Sequence, residues 1–189
     1  MMGMQHVFQL DHSLSAWVVA HRWYPLTGVM ETVTTAGRDG LLWGAIGAIL
    51  AVAGRLDVRG LLQLWAALAL ALVVSDHIVK PIAARERPFR SNPAITVIGH
   101  RSHDSSFPSG HTAAAFAGAF ALSRFAPGGR LIWWTTAVAI AYSRVYLGEH
   151  YPLDVAIGAA IGLCSAALLG WAFGRVHFAG GGAGVPAGG

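Results

Sequence analysis

The stretch Leu61–Val79, LLQLWAALALALVVSDHIV, runs directly into Lys80 and the polar segment KPIAARERP. An apolar run of this length matches a hydrocarbon core of about 30 Å when wound as a helix. The charge that follows marks where the helix leaves the lipid. Reading outward from it, similar runs recur at Thr112–Phe125, Leu131–Leu147 and Tyr151–Phe173. Leu41–Gly54 gives about 21 Å of helix at about 1.5 Å per residue, short of a full crossing. Gly37-Arg38-Asp39-Gly40 and Pro127-Gly128-Gly129 are turns by composition. Residues 10–36 read as one or two amphipathic helices broken at Pro25, with Arg22 and Glu31 arguing against a clean span. Residues 80–110 read as a long polar loop, a length that in a compact protein signals function or disorder.

Composition agrees. Of the 189 residues, 54% are hydrophobic and only 12% charged, against about 25% charged in soluble domains. The formal net charge is +4. A nucleic-acid binder would spread such cations over water-exposed faces, whereas here many cap apolar runs. The expected fold is therefore all-α: an integral membrane helical bundle of about five or six spans plus an N-terminal amphipathic helix. A single domain covers residues 1–178, and a Gly-rich tail, 179–189, is expected to be disordered. The N-terminus lacks a cleavable signal pattern. Cys164, the single cysteine, is expected as a packing residue. Gly158, Gly162 and Gly170 carry small-residue spacing for close helix contact. Trp17, Trp23, Trp43, Trp65, Trp133, Trp134 and Trp171 suit interfaces or packing.

Three polar segments carry the chemistry: Lys80-x6-Arg87-Pro88, Pro108-Ser109-Gly110-His111 and Ser143-Arg144-x5-His150-x3-Asp154. Each falls at a span end on one membrane face. Lys80, Arg87 and Arg144 form a natural clamp for the charge that spreads over phosphate oxygens in transfer. The bland alternative is that each merely anchors a helix end at the headgroups. Ser109 and Gly110 open a helix, whose free N–H groups attract anions; a simple N-cap would also explain Ser109. His150 and Asp154 are neighbours if that stretch is helical, and a carboxylate on one imidazole nitrogen would free the other as nucleophile. The residues alone leave open which histidine attacks. Ser143 is a weaker candidate for holding phosphate or Arg144. Asp76 pairs most simply with Lys80, and His77 stands beside it. His100, His103, Asp104, Arg38 and Asp39 are candidates for an entrance or ordinary loop residues.

In these three ordered motifs the chain resembles the type 2 phosphatidic acid phosphatase (PAP2) family, in its membrane-embedded, undecaprenyl diphosphate phosphatase-like branch. The resemblance runs from Lys80 to Asp154; the flanks match only in hydropathy. It implies that His150 attacks phosphorus, Asp154 orients it, and His111 protonates the leaving oxygen and then activates water. It also implies metal-independent catalysis, so no cofactor or metal is expected. The expected partners are a lipid phosphate or diphosphate and the surrounding lipids, not nucleic acid.

The function so implied is hydrolysis of a lipid phosphate ester or anhydride, with undecaprenyl diphosphate first. Phosphatidic acid, phosphatidylglycerol phosphate and a decaprenyl-linked sugar phosphate are competitors. Phosphotransfer to another lipid or sugar is a second reading, and a non-enzymatic transporter or scaffold a third. Arg55, Arg59, Arg124, Arg130 and Arg175 lie at the face without motifs. The positive-inside rule then puts the site on the periplasmic or exterior side of a bacterial inner membrane, although Arg38, Arg85, Arg90 and Arg101 stand on that side too.

Overall fold

The structure is a computed structural model that describes residues 2–180, and every regular element among them is helical. In chain order these are α1 (Met2–Ala20), α2 (Tyr24–Ala36), a single turn at Arg38–Gly40, α3 (Leu41–Val52), α4 (Val58–Leu72), a π-helical stretch Val73–Val79 leading into α5 (Lys80–Ala83), α6 (Pro88–Ser91), α7 (Gly110–Phe125), α8 (Arg130–Tyr146) and α9 (Pro152–Gly180).

Helix α7 is the axle. It is walled by alanine, with Ala113, Ala114, Ala115, Ala117, Ala119 and Ala121 all buried, so α4, α8 and α9 pack around it. Side chains this small let neighbouring backbones approach closely, the means by which membrane helices gain van der Waals contact. Gly158 and Gly162 of α9 lie against the backbone carbonyls of Ser109 and Ala113; a Cβ on Gly158 would stand 2.5 Å from the Ser109 oxygen. The third expected contact glycine, Gly170, sits at ordinary distance from Gln63 and Arg124. Trp43 is fully buried over Gly118, and Trp17, Trp23, Trp65 and Trp171 face outward. Large apolar side chains such as Ile49, Leu62, Val73, Leu131, Val138 and Leu168 are exposed around the outside. That is the surface of a protein whose solvent is lipid. Two helical runs, Val58–Ser91 and Pro152–Gly174, are long and apolar enough by themselves to cross a bilayer.

Several expectations need correcting. Pro25 starts α2 at a position where its missing N–H costs nothing, and the break falls at His21–Trp23 instead. The α4 helix does not stop at Lys80: it widens into a π-turn, where the Lys80 N–H reaches Ser75 O, and continues to Ala83. Residues 80–110 are not one free loop, because α6 lies inside them. Ser106 N–H also donates to Arg85 O at 2.9 Å, and Arg85 N–H to Ser105 Oγ at 3.0 Å. Cys164 faces outward rather than packing. Ala179 and Gly180 close α9, and the rest of the expected tail lies outside the described residues.

The helical ends converge at one pole. The π-turn and α5, the starts of α7 and α9, and the end of α8 all meet there. Arg22 straps the N-terminal hairpin to the same pole, donating to Tyr146 O and Thr96 O, each at 2.7 Å.

Candidate active site

Lys80 opens α5 directly after the π-turn, the N-terminus of α7 presents Gly110 and His111, and the last turn of α8 presents Arg144. The loop before α6 supplies Arg87, and the turn between α8 and α9 supplies His150. These six side chains or backbones, with Asp39, Asp76, Ser102 and Asp104, line one cavity of about 210 Å³. A wider polar cavity of about 430 Å³ adjoins it and shares Asp39, Ser102, His111 and Arg144. His111 thus stands at the junction of the two.

The imidazole of His150 is buried and fixed. Its Nδ1 lies 2.6 Å from the carbonyl of Ser106. A carbonyl only accepts, so Nδ1 carries the proton and the Nε2 lone pair points towards Arg87, whose Nη1 is 3.4 Å away. Burial, then the charges of Arg87, Arg144 and Lys80, push this imidazole well below its ordinary range. It is therefore neutral at physiological pH, the form a nucleophile requires.

Asp154 stands 3.6 Å from Nδ1, within ion-pair range, but it is not the ring's hydrogen-bond partner. The helical stretch on which the expected pairing was conditional begins only at Pro152, leaving His150 in the turn, yet the two side chains are neighbours all the same. The carboxylate accepts from Tyr151 N–H at 2.9 Å and from Arg85 Nη1 at 2.6 Å, and its backbone carbonyl accepts from Ser109 N–H at 3.0 Å.

The cations are held by carboxylates. Lys80 Nζ lies 2.8 Å from Asp76 and 2.6 Å from Asp104. Arg87, 2% exposed, donates to Asp104 Oδ1 at 2.6 Å, to Glu149 Oε2 at 2.7 Å and to the backbone carbonyls of Asp104, Ser105 and Glu149. Arg144 donates to Thr34 Oγ1 at 2.6 Å and stands 3.8 Å from Glu149; its buried Nε has no partner among the described residues. Burial alone would raise the Asp104 carboxyl, but the bonds and charges of Lys80 and Arg87 outweigh it and hold that group below its usual range.

Ser109 and Ser143 stay outside the cavity. The Ser109 hydroxyl caps α7, accepting from Thr112 N–H at 3.4 Å and from the Thr112 hydroxyl at 3.0 Å. Ser143 donates into its own helix, to Ile140 O at 2.6 Å. Arg38, Asp39 and His100 line the wider cavity. Asp39 has φ 52°, a left-handed conformation that aspartate tolerates better than most residues. Four residues of the site, Asp11, Arg85, Glu149 and Ser106, carried no sequence signal. The first three are ordinary charged residues in sequence, and Ser106 acts through its backbone.

The family model of the PAP2 superfamily matches residues 60–177, the stretch that holds every cation and histidine lining the two cavities except Arg38. The chain belongs to the PAP2 superfamily. Among curated PAP2 relatives, the "Bacitracin transport permease protein BcrC" of Bacillus licheniformis is 30% identical, over 71% of this chain and 66% of that protein. An "Undecaprenyl-diphosphatase" of Sulfolobus acidocaldarius is 31% identical, over 72% of this chain and 66% of that protein. The chain thus spans just under two thirds of the length of these two relatives. The PAP2 bundle also superposes on the crystal structure of a transmembrane PAP2-type phosphatidylglycerolphosphate phosphatase from Bacillus subtilis. That comparison gives a TM-score of 0.71 and 28% identity, covering 90% of this chain and 88% of that one.

Proposed function

We propose that this chain is an integral membrane lipid phosphatase that hydrolyses undecaprenyl diphosphate, or a close polyprenyl diphosphate, to the monophosphate through a phosphohistidine on His150. One observation carries the reading: the His150 Nδ1 proton is committed to Ser106 O, so a neutral Nε2 faces a cavity lined by Lys80, Arg87 and Arg144.

The residues assign themselves to steps. The terminal phosphate enters between Lys80, Arg87 and Arg144 and exchanges with the half-exposed carboxylate of Asp104 for the first two. Gly110 lets it approach the α7 N-terminus, where free N–H groups favour an anion. Nε2 attacks phosphorus in line with the leaving oxygen. The bond to that oxygen breaks as the N–P bond forms, and His111, at the junction of the two cavities, gives the oxygen its proton. As the ring becomes positive, Asp154 at 3.6 Å stabilises it. Water then attacks phosphorus, His111 takes its proton, and phosphate leaves with Nε2 restored. No step calls on a metal.

The substrate rests on the undecaprenyl-diphosphatase relative and on a site at the pole of a lipid-facing bundle. Phosphatidic acid, phosphatidylglycerol phosphate and decaprenyl-linked sugar phosphates use the same clamp. The wider cavity, with Glu31, Thr34, Thr35 and His100 beside His111, favours a second reading in which an acceptor hydroxyl replaces water. In the membrane, α3, α4, α7, α8 and α9 cross, with α1 and α2 at the surface. Arg59 and Arg124 gather at the opposite pole, which supports a periplasmic site in a bacterial inner membrane.

The test is phosphate release from undecaprenyl diphosphate by purified protein in detergent with EDTA, with phosphatidic acid and phosphatidylglycerol phosphate in parallel and His150→Ala as control. Release that survives EDTA and vanishes in the variant supports the reading. No release from any lipid by folded protein overturns hydrolysis.

A further inference from the structure

The N-terminal helix α1 reaches the catalytic pole through a chain of charges. Asp11 is 5% exposed although it lies on a helix whose other faces are largely open. Its Oδ2 pairs with Arg85 Nη2 at 2.6 Å, and Arg85 Nη1 pairs with Asp154 Oδ1, also at 2.6 Å. Its Oδ1 accepts the Leu153 N–H at 2.8 Å, one of the free donors at the start of α9. The guanidinium carbon lies over the Tyr151 ring, 3.9 Å from its centre. Tyr151 also meets the His12 ring at 4.5 Å, and its hydroxyl meets Ser91 Oγ at 2.5 Å. The segment from His150 to Asp154 is thus gripped by α1, Arg85 and α6 together.

We propose that Asp11 and Arg85 are positioning residues for the reaction, acting through Asp154 on the nucleophile His150; the inference rests on the phosphohistidine reading above. Arg85 alone would fix Asp154 but cancel its charge, and a neutralised carboxylate does little for a ring that turns positive on phosphorylation. Asp11 supplies the second carboxylate. With two carboxylates on one guanidinium, the group keeps a net negative charge beside Nδ1, while the two nitrogens of the fork fix both partners. The ring's hydrogen bond to Ser106 sets its tautomer, and this triad sets the field around it. The arrangement also makes α1, a surface helix outside the matched family region, part of the catalytic apparatus.

The test uses Asp11→Asn, Arg85→Gln and their double variant in the full chain, each checked for folding by its melting temperature in detergent. Asparagine still offers an oxygen to Leu153 N–H and removes only the charge. Two readouts are taken. In the first, kcat falls about tenfold in each single variant while KM stays constant, the size typical of losing a partner that orients a histidine. The double variant is no worse than Arg85→Gln alone, because Asp11 acts through Arg85. Asp11→Glu recovers part of the loss. The second readout does not need turnover. Orthovanadate takes a fifth ligand from a histidine nitrogen, whereas sulfate needs only the cations. Asp11→Asn and Arg85→Gln weaken vanadate binding and leave sulfate binding unchanged. If vanadate and sulfate affinities fall together in folded protein, or neither falls, the inference is overturned. If the vanadate split holds but wild type releases no phosphate from any lipid, the hydrolase reading fails and the positioning role stands. If Arg85→Gln does not fold, Asp11→Asn decides the question alone.

Discussion

The imidazole of His150 donates from Nδ1 to the main-chain carbonyl of Ser106 at 2.6 Å, across a sequence separation of 44 positions. A backbone acceptor cannot be titrated or mutated away, so the tautomer that leaves Nε2 free is built into the path of the chain. That path is itself fixed by Ser106 N–H on Arg85 O and by the Ser106 hydroxyl on Glu86 O at 3.1 Å.

Acid pH should destabilise the fold through this ring. His150 is held well below its ordinary value of 6.5 by burial and by Arg87, Arg144 and Lys80. Between that lowered value and 6.5 the unfolded chain binds the proton and the folded chain does not. The stability linked to His150 is therefore fully present above about 6.5 and is lost as the pH falls below it. Melting temperature in detergent should drop between pH 7.5 and pH 5, and His150→Gln should show a smaller drop. An equal drop in the variant would assign the acid sensitivity to other groups.

Glu149 should matter for stability first. It is 1% exposed and shares Arg87 and Arg144. Removing one partner of a buried pair leaves the other uncompensated, at a cost of about 3–5 kcal/mol. Glu149→Leu should unfold at distinctly lower denaturant than wild type, and Glu149→Gln, which can still accept from Arg87, should lose less. Matching denaturation midpoints for the two variants would contradict this.

Asp104 should act as a competitor for the substrate phosphate. Its half-exposed carboxylate bridges Lys80 and Arg87 at 2.6 Å each. Solvent reaches the carboxylate end of both pairs, which keeps each to about 1 kcal/mol, so Asp104→Asn should lower KM about fivefold with kcat little changed. A raised KM would show instead that Asp104 positions the cations for phosphate.

Gly158 should tolerate nothing larger. Alanine there would press on the Ser109 carbonyl, next to the Ser109–Asp154 backbone hydrogen bond. Gly158→Ala should cost about 1–3 kcal/mol from overpacking and lower kcat, because the α9 start carries Asp154. Gly174→Ala, with open space around it, is the control; equal melting temperatures for the two variants would refute the contact argument.

Much of the site is legible in the sequence. Lys80, Arg87, Gly110, His111, Arg144 and His150 were readable as a set, because ionisable residues at the ends of apolar runs have few other reasons to recur in order. The structure brings those six to one cavity, while Ser109 and Asp154 stand behind it. The N-terminal half was less legible. Asp11 looks like any polar residue on an amphipathic helix, and only its packing against Leu153 and Arg85 distinguishes it.

What the sequence by itself determined is the inventory and the pole. Hydropathy sets which segments lie in lipid, and chain order then forces alternate span ends, with their charged motifs, to the same side. What only the tertiary structure decided is who pairs with whom. Arg85 and Arg87 are two residues apart and chemically identical in sequence, yet Arg85 faces Asp154 and Arg87 faces Glu149 and the cavity. That choice depends on the turn the chain makes between α5 and α6 and on hydrogen bonds to residues 104–106. Such long-range contacts leave no local pattern, because the energy that selects them belongs to the packed site and not to any segment alone.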